Sequence, residues 1–168
     1  MRTTLRAPGN DQVLRREGRP YVAGVHANHA PILCAVGARE ESCFFADRAR
    51  AEMERAVGPG HPWALGCALN AAAAAALAGE RERALATSLD TTAREGAHEV
   101  LGPAHPLTLS ARIALVADLR ATGERREAER LEEVALNNLA ATLGTDHPRT
   151  RAARHRERPY WDFEPRTT

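Results

Sequence analysis

Leu101-Gly-Pro-Ala-His-Pro106 decides how this chain folds, because the same six-residue phrase stands as Val57-Gly-Pro-Gly-His-Pro62 and as Leu143-Gly-Thr-Asp-His-Pro148. The closing prolines are 44 and 42 residues apart, and a glycine follows 17 residues after two of them, Gly79 after Pro62 and Gly123 after Pro106. Two markers that move in step define a repeating unit. Counting back 42 residues from Pro62 reaches Pro20, with Gly37 a further 17 residues on, so a degenerate first repeat precedes the obvious ones.

Each marker has a mechanical reading. Proline in the first turn of a helix gives up only an N–H that has no partner there, so His-Pro starts a helix A in each unit. The later glycine takes the left-handed conformation that ends helix A, and a charged stretch such as Glu124-Arg-Arg-Glu127 opens helix B. Helix B of the last complete unit carries Ala128, Leu131, Val134, Ala135, Leu139 and Leu143 at spacings of three and four, the pattern of one buried stripe. A lone hairpin cannot bury both faces, so the units must stack. The expected architecture is all-α, a solenoid of antiparallel helix hairpins. Residues 1–18 form a half-repeat or disordered lead, repeats follow at 19–58, 59–102 and 103–144, a partial capping helix spans 145–158, and 159–168 make an irregular aromatic-acidic tail.

Two departures predict local distortion. Pro31 falls inside helix A of the first repeat, where an interior proline costs about 3 kcal/mol, so that helix is expected to be bent or shortened. The middle repeat holds two extra residues between Gly79 and Gly102 and carries Gly96 within its helix B, which predicts a bulge or an early helix end.

The pattern Leu-Gly-x-x-His-Pro-x-Thr-Leu, a helix, Gly-x3-Glu-Ala and a second helix resembles the long tetratricopeptide unit of kinesin light chains and of many actinobacterial regulatory proteins. The resemblance covers residues 19–158 and is strongest over 101–143. It implies a right-handed superhelix whose concave surface, lined by the A helices, receives an extended or helical peptide of a partner. It also implies binding roles for Asn28 and Asn70, which share the helix A position held by Ala114 in the third repeat. An asparagine amide offers both a donor and an acceptor to a ligand backbone; the plain alternative is a solvated or capping asparagine. Leu69, Ala73, Leu77, Ile113, Ala117 and Arg120 join them as concave candidates in the same register, a mostly apolar, shallow groove. Only Arg120 supplies the basic charge that a carboxylate clamp needs, so that mode is not expected.

Bulk composition narrows the function classes. With 168 residues the chain has room for one core but not for two separate globular units. Lys+Arg of 23 against Asp+Glu of 22 leaves a net charge of +1, which gives no electrostatic surplus for nucleic acid or an anionic membrane. Every strong base is arginine, and alanine is abundant, as in a GC-rich genome of the actinobacterial kind. Three cysteines, Cys34, Cys43 and Cys67, make no disulfide framework and fit a reducing cytoplasm. The start lacks the apolar core of a signal peptide, and the longest apolar run is far below a membrane span.

Catalytic machinery is not visible. The phosphate loop, the Gly-x-Ser-x-Gly elbow and the His-Glu-x-x-His pair are all missing, so neither an enzyme nor a cofactor is expected. His61, His105 and His147 fall one per repeat at helix starts, about 10 Å apart along a stack, and read as loop and capping residues rather than as ligands of one metal. His26, His29, Cys34 and Cys43 form a denser set whose spacing matches no standard zinc signature. Tyr160, Trp161 and Phe163 alternate with Asp162 and Glu164 in the tail, and either cover the open end of the last hairpin, plug the groove or dock on a partner. The function expected is a scaffold that binds a peptide or helix of a cytosolic partner. The alternatives are a regulatory unit acting with an NTPase or transcriptional regulator and, more remotely, a metal- or thiol-dependent enzyme. Open solenoid ends also suggest a homo-oligomer.

Overall fold

The computed structural model describes residues 10–79 and 83–163. Seven helices follow one another: α1 (Asn10–Ala35), α2 (Arg39–Val57), α3 (Pro62–Ala78), α4 (Arg83–Leu101), α5 (Pro106–Ala121), α6 (Arg125–Leu143) and α7 (Pro148–Arg154). Pro62, Pro106 and Pro148 each occupy the first helical turn, as the repeated phrase predicts. Before each stands a histidine in extended conformation whose Nδ1 accepts the backbone N–H two residues on, at 3.1 Å for His61 and His105 and 3.2 Å for His147. That is an N-cap in which imidazole replaces the usual hydroxyl or carboxylate. Gly123, with φ of 89°, turns α5 into α6 in the left-handed region that an L side chain resists.

The hairpins α1–α2, α3–α4 and α5–α6 stack in sequence, and α7 continues the row of A helices. Each core cluster spans neighbouring helices instead of one common centre. Leu65, Leu69, Ala93, Ala97, Leu107 and Ala111 join α3, α4 and α5; Ala23, Ala49, Met53 and Cys67 join α1, α2 and α3; Leu109, Ile113, Ala135, Leu139 and Ala153 join α5, α6 and α7. This serial arrangement is that of a helical-repeat solenoid. Alanine at so many of the contact points lets the helix axes approach closely.

Neither α1 nor α4 is cut short at the expected distortions, Pro31 and Gly96. α1 runs unbroken through Pro20 and Pro31. Pro31 has no N–H to offer the carbonyl of Ala27, one turn earlier, but that oxygen accepts Asn70 Nδ2 from α3 at 3.1 Å. The neighbouring helix thus satisfies the group the proline orphans. α4 likewise continues past Gly96 without interruption as far as Leu101. Gly96 makes room for Leu65: a Cβ there would lie 2.7 Å from Leu65 Cδ2. In the α6 stripe, Ala128, Ala135 and Leu139 are buried, whereas Val134 is 45% exposed.

α1 begins at Asn10, within the stretch expected as a lead. Residues 1–9 of that lead, and residues 164–168 of the tail with Glu164 and Pro165, lie outside the described residues.

Candidate functional site

A polypeptide already lies along the A helices, and it is the chain's own C-terminal segment. After α7 the backbone turns at Arg156, whose φ of 58° is left-handed. Glu132 of α6 holds that turn by accepting Arg156 Nε at 3.0 Å, and it also accepts Arg120 Nη2. Burial alone would raise the Glu132 carboxyl pKa, but hydrogen bonds from Arg156 and Arg120 outweigh it and hold the group below its ordinary value.

From there residues 158–163 run back across α5, α3 and α1. The Arg158 guanidinium bridges two buried carboxylates, Asp90 of α4 and Asp118 of α5, donating to the latter at 2.5 Å. Trp161 is fixed through its main chain: its N–H donates to Asn70 Oδ1 at 2.6 Å, and its carbonyl accepts Asn70 Nδ2 at 2.8 Å. Two residues on, Phe163 N–H donates to Asn28 Oδ1 at 2.9 Å and its carbonyl accepts Asn28 Nδ2 at 3.0 Å. Each asparagine therefore uses both ends of its amide on one residue, in the manner of a β-ladder rung. The contacts fall on alternate residues because main-chain groups of an extended segment face the same edge every second residue.

The side chains alternate accordingly. Trp161 and Phe163 pack on the core clusters, whereas Tyr160 and Asp162 are exposed. Trp161 sits on Gly66, beside the His105 ring at 6.3 Å between centroids and under the Arg149 guanidinium at 4.6 Å. Burial lowers the His105 pKa, which favours the neutral ring that its capping role requires. Phe163 rests against Gly24, where a Cβ would come within 3.4 Å of the Phe163 Cβ. Gly24-x3-Asn28 and Gly66-x3-Asn70 occupy the same register of consecutive A helices; in the third repeat these positions are Ser110 and Ala114. In each pair the glycine leaves space for a ring, and the asparagine one turn later holds the backbone.

The other concave candidates lie elsewhere. Leu69 is fully buried among α3, α4 and α5, so its side chain is core rather than groove lining. Ala73 and Leu77 stand farther along α3, the first half-buried and the second 50% exposed. Ile113, Ala117 and Arg120 face a cavity of about 170 Å³ beside α7, with Glu132 and Arg156 across it. Asn28 and Asn70 hydrogen-bond the tail, and Ile113 also lines a cavity with Arg158, Pro159 and Tyr160 of it.

Residues that the sequence reading did not single out complete the site: Asp90, Asp118, Glu132, Arg149 and the two glycines. One signal was available. Asp90 and Glu132 are each the eighth residue of their helix B, where α2 has Ala46.

The histidine–cysteine set does not converge. His26 and His29 both pack on the Phe45 ring, and Cys34 Sγ lies 2.9 Å from Ser42 Oγ. No group of three or more His, Cys, Asp or Glu side chains poised for a metal occurs among the described residues. Nor is any helix among them long and apolar enough to cross a membrane.

No family model matches this chain, and no curated protein matches it. Among solved structures it is similar to the nearly identical TPR-like repeats of a kinesin light chain from Podosopora anserina, with a TM-score of 0.72 and 22% identity. The alignment covers 83% of this chain and 65% of that one. The fold is therefore a tetratricopeptide-like helical-repeat solenoid.

Proposed function

We propose that the chain is a protein-interaction module whose A-helix face binds an extended segment of a partner polypeptide. The observation that carries this reading is the paired main-chain hydrogen bonding of alternate residues by Asn28 and Asn70. Contacts to N–H and C=O are independent of side-chain identity, so a surface that grips residues 161 and 163 in this way suits any chain of the same extended form. Half-buried rings on glycine floors add the apolar contact that main-chain bonds lack. In this reading the resident tail and a partner compete for one surface.

Display selection of random peptides tests it. The bait is the full chain carrying Trp161→Ala and Phe163→Ala, which weaken the resident segment. The expected result is enrichment of extended aromatic peptides, lost when Asn28→Ala is added without change in helicity. Asn28 is the better probe than Asn70, whose bond to the Ala27 carbonyl also supports α1. Failure to enrich any peptide, or enrichment indifferent to Asn28, would overturn the proposal.

A further inference from the structure

Asp90 and Asp118 are poor choices for holding a solenoid together. Their side chains are 0% and 4% exposed, on adjacent helices, and both bind the same guanidinium. Two carboxylates brought together out of water repel, and replacing such a cluster with apolar residues of similar volume is often neutral or stabilising. Even with Arg158 in place, Asp90 Oδ1 and Asp118 Oδ2 meet no donor from any other residue, and the two carboxyls lie close enough to share a proton. Burial pushes the Asp90 carboxyl well above its ordinary pKa; Arg158 opposes that shift and nearby Asp118 adds to it. The pair is thus a preformed, desolvated acceptor that a cation completes.

The cation comes from the peptide-like segment, not from the helices. Arg158 is three residues ahead of Trp161 and five ahead of Phe163, and all three seat on successive elements of the same face. The planar, forked guanidinium matches two carboxylates at once, as a lysine ammonium does not.

We propose that Asp90 and Asp118 form an arginine-reading subsite of the groove. The partner segment it selects carries an arginine three residues before one aromatic side chain and five before another, with residues 158–163 as the built-in competitor. This rests on the peptide-binding reading above and adds the chemistry of the ligand. A side chain without charge leaves two buried acids unpaired, so discrimination is expected to be about tenfold or more.

The test uses a labelled, end-blocked peptide of residues 156–163 and its counterpart with citrulline, which keeps the shape of arginine but not its charge, at position 158. The receptor is the full chain with Arg158→Ala, Trp161→Ala and Phe163→Ala, and binding is read by fluorescence polarisation. The arginine peptide is expected to bind at least about tenfold more tightly, and Asp90→Asn with Asp118→Asn in the receptor to abolish that difference. Equal binding of the two peptides overturns the arginine subsite and leaves the groove intact. Binding of neither overturns the groove as well. Should the triple variant not fold, Arg158→Gln in a chain carrying Trp63→Phe makes Trp161 the sole indole. Its acrylamide quenching is then expected to rise, and an unchanged value overturns the proposal.

Discussion

Gly66→Ala should destabilise this protein when its tail is docked and stabilise it when the tail is released. Alanine in a helix interior is favoured over glycine by about 0.5–1 kcal/mol, and nothing in α3 itself opposes it. The obstacle is the tail. A Cβ on residue 66 would stand 2.7 Å from Trp161 Cδ1, 3.0 Å from Phe163 Cζ and 3.1 Å from Trp161 Cγ. Optimal carbon–carbon separation is about 3.5–4.0 Å, so the indole must withdraw by roughly 1 Å and strain its two bonds to Asn70. Overpacking of this kind costs about 1–3 kcal/mol. The net expectation is a loss of about 1–2 kcal/mol in the otherwise unaltered chain and a gain of about 0.5–1 kcal/mol in a chain with Trp161→Ala and Phe163→Ala. The loss has a ceiling, since the tail lets go once the clash exceeds its docking free energy; Trp161 emission would then move to the red. Urea unfolding followed by circular dichroism in the four chains of this cycle measures the coupling. Equal stabilisation by Gly66→Ala in both backgrounds would mean that the indole does not rest on Gly66.

Other expected outcomes follow from the same geometry. Asn28→Ala removes two main-chain bonds worth about 1 kcal/mol each and no helix contact, so far-ultraviolet dichroism should stay constant while hydrogen exchange at the Phe163 amide quickens. The cost of Arg158→Gln should grow as pH rises above the ordinary aspartate range. The raised Asp90 pKa means that its contribution is present at low pH and lost as the folded group ionises, and loss of the arginine raises that value further. Urea midpoints of the two chains within and above that range check the sign. His105→Asn should keep the N-cap and flatten the pH dependence between ~7 and ~5. The lowered His105 pKa gives stability that is present above ordinary histidine values and lost as pH falls through the folded pKa.

Much of the fold is legible in the sequence because its punctuation is local. His-Pro sets a helix start, and glycine sets its end, within a few residues of chain and without help from tertiary structure. Where neighbours intervene, local reasoning misleads: Pro31 is tolerated through Asn70 on another helix, and Gly96 through Leu65. The site divides the same way. Asn28 and Asn70 stand out by register, but their tail partners are 135 and 91 residues away in sequence. Asp90 is hidden because acids are common on solvated helix faces, and only stacking shows that this one is buried. Gly66 likewise looks like part of a small-residue helix until the indole above it is seen.

Whether the A-helix face grips an extended backbone can be read from solvent exchange at the Asn28 side-chain amide by nuclear magnetic resonance. Exchange should be slow in the unaltered chain, fast with Trp161→Ala and Phe163→Ala, and slow again as a peptide of residues 156–163 is added. An amide that exchanges alike in all three samples would contradict such a grip.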